Sequence, residues 1–166
     1  MKVTFDILEK IEKATGKSKI TILKNNNNEP ALRVLLDAAL NYKRRFYIKK
    51  FDIAPSKIDL GEESGIRLSE FVNILSLLES RQLSGSAAIS TVEAFLEKCS
   101  PIEQKWYARV IRKDLRSGFG ADAAVEAGFN IPVFDVQLAK PGQECKKLGE
   151  MIASGAWLSR KNDGYR

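Results

Sequence analysis

Histidine is missing altogether, cysteine occurs only twice, and no long apolar run interrupts the 166 residues. Without histidine there are no Ser-His or Cys-His nucleophile pairs and few routes to a zinc site. Any chemistry must therefore run on Lys, Arg, Asp or Glu. Cys99 and Cys145 lack paired spacing, which fits a reducing compartment and buried, inert thiols better than a disulfide framework. Met1-Lys2-Val3 leads into a mixed-polarity segment and not a signal sequence. No membrane partner is expected, and the expected location is the cytoplasm.

What is present is globular and basic. Hydrophobic residues make up 44% and charged residues 29%, values of a folded chain with room for one ordinary domain and a little more. A net charge of +6 and a pI near 9.3 favour an anionic partner. So modest an excess also arises from solubility alone, so the placement of the charges has to decide.

The first two-thirds reads as one helix after another. Val3, Ile7, Leu8, Ile11 and Ala14 fall on one helical face, and a short second helix is predicted over Lys17 to Lys24. The run Asn25-Asn26-Asn27-Asn28 breaks it as a surface turn, with Asn28 expected to cap the next helix. Pro30 suits a helix start, and Leu32, Leu35, Leu36, Ala39 and Leu40 form an apolar stripe. Residues 52–67, with Pro55, Gly61 and Gly65, read as loop. Further helices carry Leu68, Phe71, Val72, Leu75 and Leu78, then Ala88, Val92, Phe95, Leu96 and Cys99 from a start near Ser84 to Ser86. Ser100-Pro101-Ile102-Glu103 is a capping box, and the helix it opens is expected to run to about Leu115. "SGFGADAAVEAG" turns on Gly118 and Gly120 and makes a short helix ending at Gly128.

Beyond residue 130 the character changes. "FNIPVFDVQLAKPG" is rich in β-branched and aromatic residues, Gln143 to Gly155 is a polar candidate helix, and "AWLSRK" reads as a strand entering an Asn-Asp-Gly turn. The predicted fold class is mainly α: an all-helical domain over 1–130, then linker and first strands of an α/β unit over 131–166. That second part is too short to bury a core alone and is expected to be incomplete.

Two basic clusters stand out. Lys105, Arg109, Arg112 and Arg116, with Lys113 beside them, form a ridge opposite Tyr107, Val110, Ile111 and Leu115. Lys43, Arg44, Arg45, Lys49 and Lys50 are interleaved with Phe46, Tyr47 and Phe51. The rings could stack on bases, but at helical spacing they are read as core anchors, and some of the cations, Lys49 and Lys50 among them, as phosphate contacts. Two glycine-bearing helix starts, Arg81 with Ser84-Gly85-Ser86 and Arg116 with Gly118-Phe119-Gly120, could hold phosphate on exposed backbone N–H groups. Nothing resembles a base-reading recognition helix, so the expected partner is duplex DNA bound without sequence preference.

The chain ends on Lys161-Asn162-Asp163-Gly164-Tyr165-Arg166, a K-x-D-G-x-R spacing. An Asp-Gly pair alone means a tight turn. A strand-end lysine among cations can have its pKa lowered enough to attack a phosphate, and an arginine after the turn can hold a nucleotide. The pattern therefore suits covalent nucleotidyl transfer.

These residues resemble motif I of ATP-dependent DNA ligases. "RQLSGSAAI" at 81–89, "RVIRKDLRSGFGADAA" at 109–124 and "IPVFDVQLAKP" at 131–141 precede it in the order of the amino-terminal DNA-binding domain of the phage members, the T-even type most closely. The resemblance covers nearly the whole chain. It implies that Lys161 is the lysine adenylated by ATP, that AMP passes to the 5′-phosphate of a nick, and that the 3′-hydroxyl displaces it. Arg166 would contact the nucleotide, with Asn162 beside it at the motif's variable place. ATP and Mg²⁺ are the cofactors implied for a complete enzyme of replication, repair and recombination. Nicked or intact duplex, held by its phosphate backbone and minor groove, is the implied partner of a monomer in the host cytoplasm. The later nucleotidyltransferase motifs and the OB-fold are not in these 166 residues. These residues alone are therefore expected to bind DNA and not to seal nicks. A non-enzymatic helical DNA-binding module with a vestigial motif is the alternative. RNA ligases and capping enzymes share K-x-D-G, but without such a helical domain ahead of it.

Overall fold

The computed structural model describes residues 2–56, 65–133 and 148–155. By contacts the chain divides into two units, Met1–Phe134 and Asp135–Arg166. Every regular element among the described residues is a helix: α1 (Lys2–Lys13), α2 (Lys17–Asn25), α3 (Pro30–Leu40), α4 (Gly65–Glu79), α5 (Gly85–Glu97), α6 (Pro101–Arg112), α7 (Ala121–Glu126) and α8 (Leu148–Ala153). The all-helical class is as read from the sequence. Helix α8 falls inside the predicted polar helix. The extended stretch from Phe134 to Gly142, the final strand, the terminal motif and Cys145 lie outside the described residues.

Helix α6 is the hub of the first unit, with α1, α3 and α5 packed against it. Its apolar side buries Trp106, Tyr107, Ala108, Val110 and Ile111. Around Tyr107 stand Phe5 from α1, edge-on at 5.5 Å, Phe71 from α4 at 4.2 Å and Phe95 from α5 at 5.4 Å. One ring thus joins four helices, the offset and edge arrangement aromatic pairs prefer. Its hydroxyl is buried without a hydrogen-bond partner among the described residues, and burial pushes its pKa up. At the start of α6 the capping box forms: the Ser100 N–H and hydroxyl donate to the Glu103 carboxylate at 2.8 and 2.9 Å. Arg67 of α4 pairs with the same carboxylate at 2.7 Å, so the buried charge is compensated. Cys99 is buried beside it, its thiol pushed up to about 12 by burial first and then by Glu103, and is therefore inert.

Helix α4 begins at Gly65, inside the stretch 52–67 read as loop, and four further details depart from the sequence reading. Val3 lies 62% exposed, while Thr4 and Phe5 turn inward; the inward face of α1 begins one residue later than the periodicity placed it. Asn28 does not cap α3. The chain enters through Glu29 without a side-chain cap, which costs little because Pro30 has no N–H to satisfy. The asparagine run is more than a surface turn, since Asn27 donates to the Ala127 carbonyl at 3.1 Å and ties the α2–α3 corner to the end of α7. Helix α6 stops at Arg112, short of Leu115, because Lys113 takes the left-handed conformation and the Asp114 N–H closes back on the Arg109 carbonyl at 3.0 Å.

Candidate nucleic-acid interface

Between α3 and α4 the chain runs without regular structure from Asn41 to Ser56, and side chains pin it down. Arg44 donates to both Glu79 oxygens at 2.9 Å and to Asp37 at 3.2 Å, and the Glu79 bonds hold its guanidinium pKa above its ordinary value against the opposing effect of burial. The Gln104 amide reaches the Ala54 carbonyl at 3.1 Å, and Glu93 accepts the Asp52 N–H at 2.8 Å. Along this path buried and exposed side chains are interleaved. Phe46, Ile48 and Phe51 are buried; Arg45, Tyr47, Lys49 and Lys50 are exposed. Phe46 and Phe51 are core anchors as expected. Tyr47 is not: it is 60% exposed and takes the left-handed φ of +55, so its ring faces outward between two buried neighbours.

The outward side chains border a groove of about 910 Å³ that continues to the start of α5. Six cations line it, Arg44, Arg45, Lys49, Lys50, Arg112 and Lys113, and no carboxylate does. Among the described residues no acidic partner stands against Arg45, Lys49 or Lys50. At the groove's other side Ser84 makes no side-chain cap bond, and Gly85 takes φ +61 with open space where a Cβ would stand. A ligand oxygen can therefore come close to the first turn of α5, where N–H groups and the helix dipole favour an anion. Arg81, at φ +59, lays its guanidinium 4.3 Å from the Tyr47 ring centre. Ser86 is exposed on the same first turn.

The ridge on α6 has a different environment. Lys105 donates to Glu9 and Glu12 of α1, both at 2.5 Å, and Arg109 pairs with Glu12 at 2.8 Å. Trp106, buried between them, gives its indole N–H to Glu9 at 2.9 Å. Burial works to raise the Glu12 pKa, but the hydrogen bonds from Lys105 and Arg109 outweigh it and hold the carboxyl below its usual range. Arg112 donates to the Phe51 carbonyl at 3.1 Å and lies 4.5 Å from that ring's centre. Lys113 reaches the Ala38 and Asn41 carbonyls at 3.2 and 2.6 Å, placing a cation at the C-terminus of α3. Burial, then the nearby Arg44, pushes its pKa down. Of the ridge cations Arg116 alone is mostly exposed, 72% of its side chain, next to Asp114 at 3.3 Å.

The second glycine-bearing start is also occupied from within. Lys19 donates to the Ser117 carbonyl, and a Cβ on Gly118 would come within 2.8 Å of that amine. Phe119 packs partly buried against the core, and Gly120 opens α7 without a side-chain cap. The structure therefore brings together Arg81, Ser84, Gly85, Ser86, Lys49 and Lys50. It sets Lys105, Arg109, Arg112 and Lys113 against protein groups, and leaves Arg116 with Gly118–Gly120 at a separate loop. Lys161, Asn162 and Arg166 lie outside the described residues. Arg45 belongs to the basic cluster read from the sequence and is exposed as that reading required; Tyr47, read there as a core anchor, is exposed instead.

Residues 49–127 match the family model of the DNA ligase N terminus. That span holds Lys49, Lys50, the Arg81–Ser86 loop and the whole ridge. Among solved structures, the chain superposes on "Pmar-Lig_PreS3" with a TM-score of 0.74 at 20% identity over 89% of its length. It superposes equally well on "Pmar-Lig_Pre.", over 84%. These likenesses, at such identity, speak to the fold. The chain spans about a third of those structures, 35% and 34% of their lengths. No curated protein matches the sequence. No helix among the described residues is long and apolar enough to cross a membrane.

Proposed function

We propose that this chain is the DNA-binding portion of an ATP-dependent DNA ligase of the phage, T-even-like kind, and that the groove between residues 41–50 and the start of α5 is where duplex DNA lies. The match of residues 49–127 to the DNA ligase N terminus carries this reading, because the cations that meet no carboxylate among the described residues sit in or beside that span. Lys49, Lys50, Arg45 and Arg81 hold phosphates, the open first turn of α5 takes another, and no sequence is read. Arg116 and the Gly118–Gly120 loop extend the contact. In the complete enzyme Lys161 carries AMP, Arg166 and Asn162 face the nucleotide, and ATP with Mg²⁺ supplies the adenylyl group. The 166 residues by themselves bind DNA as a monomer and do not ligate.

Fluorescence anisotropy with labelled nicked and intact duplexes across a salt series tests the reading. Binding should weaken steeply with salt, with a log–log slope of about −3 to −5 for four or five phosphate contacts, and should not vary with sequence. No binding at low salt would overturn it.

A further inference from the structure

We propose that Tyr47 is a nucleoside-stacking residue: held at the rim of the groove by Arg81, it takes the flat face of a base or deoxyribose from the DNA whose phosphates the surrounding cations hold. The inference rests on the DNA-binding reading above. A groove that met only phosphates would need cations and backbone N–H groups. This one also exposes the Tyr47 ring and the side chain of Ile89. Tyr47 is turned outward between two buried neighbours, Phe46 and Ile48, whose fixed positions aim it.

Its backbone adds a second observation. Tyr47 and Arg81 lie at φ +55 and +59, the left-handed region where a Cβ is crowded, and their side chains meet at 4.3 Å. Two residues held at a conformational cost and joined face to face form a preset arrangement, as strained residues at binding sites often do. The guanidinium covers one face of the ring. Tyr47 is nevertheless 60% exposed, which leaves surface for a second flat partner. An aromatic platform beside phosphate-binding cations is the combination that holds nucleic acid through both backbone and nucleoside.

Anisotropy titrations of Tyr47→Ala, Tyr47→Gly and Tyr47→Phe against an intact duplex and a duplex with a one-nucleotide gap test this. Tyr47→Ala and Tyr47→Gly should bind about tenfold more weakly, the loss expected of one stacking contact. The salt slope should stay unchanged, since no charge is removed. Tyr47→Phe should bind as the unsubstituted chain does. Glycine suits the positive φ, so Tyr47→Gly should keep its thermal midpoint and separate a binding loss from a folding defect. Equal loss on both DNAs assigns the contact to a deoxyribose face; loss confined to the gapped duplex assigns it to an exposed base. Binding of both DNAs by Tyr47→Ala and Tyr47→Gly within twofold of the unsubstituted chain overturns the proposal. Failure of the unsubstituted chain to bind either DNA sinks the reading beneath it.

Discussion

The α6 ridge and the segment 41–50 that lines the groove carry five cations each, and they differ in what those cations face. On the ridge, Lys105 and Arg109 close on Glu9 and Glu12, Arg112 holds the Phe51 carbonyl, and Lys113 caps α3. In the groove, Arg45, Lys49 and Lys50 meet no carboxylate among the described residues. A count of charges along one helix sees only that helix. The ridge is answered by α1, almost a hundred residues earlier in sequence, and the lesson is that an amphipathic charged face marks an anion site only after its tertiary neighbours are known. Backbone strain appears in both regions, at Tyr47 and Arg81 around the groove and at Lys113 and Arg116 at the end of the ridge. On the ridge it has a structural outcome, since Lys113 reaches α3 from its left-handed position.

The largest expected effect separates the two regions directly. Reversing Lys49, Lys50 and Arg81 together to Glu should weaken duplex binding by about a hundredfold at low salt and make the salt slope shallower by about 3, with the fold intact because these side chains are exposed. Lys105→Glu should do the opposite. It places three carboxylates together beside Trp106 and should cost about 3 kcal/mol in chemical unfolding, while the folded fraction still binds DNA. If the triple reversal binds normally and a folded Lys105→Glu does not, the assignment of the two faces is inverted.

Much of this architecture was legible in the sequence, and where it was not the reason is physical. The apolar stripes of α3 and α5 and the capping box of α6 are local signals, and the helices follow them closely. The end of α6 was not local: Lys113 leaves the helix for carbonyls on α3. Helical spacing groups Tyr47 with Phe46 and Phe51, but this stretch is not helical and Tyr47 takes φ +55, so its ring faces outward while theirs are buried. Of the candidate site, Arg81, Ser84, Gly85, Ser86, Lys49 and Lys50 were chosen by composition and lie together. The pairing of Lys105 and Arg109 with α1 has no signature in the sequence, since Glu9 and Glu12 look like ordinary surface acids of an amphipathic helix.

A smaller effect comes from unclamping the ridge. Replacing Glu9 and Glu12 with glutamine keeps the shape of α1 but removes the charges that Lys105 and Arg109 face. Stability should fall by about 2 kcal/mol, read from urea midpoints, because two partly buried cations lose their partners. Duplex affinity should change less than twofold if the ridge belongs to the framework. A tenfold gain with a steeper salt slope would show instead that α1 masks a second DNA-facing surface.

The smallest effect is a matter of pH, and it isolates one carboxylate of the clamp. The Glu12 pKa in the folded chain lies below its ordinary value of 4.5, so its contribution to stability is complete above that pH and is lost as the pH falls through the folded value. Lys105, whose pKa is raised above 10.5, stays charged throughout that range. Unfolding of the unsubstituted chain and of Glu12→Gln should therefore differ by a constant amount, about 1 kcal/mol, across the neutral range. The two should converge as the solution is acidified below pH 4.5. Lys50→Glu, in a groove that no carboxylate lines among the described residues, should track the unsubstituted chain at acid pH with no convergence tied to Glu12. Should Glu12→Gln show a constant difference down to the acid transition, the stabilisation does not come from the titrating charge of Glu12. The ridge and the groove would then differ in shape more than in electrostatics.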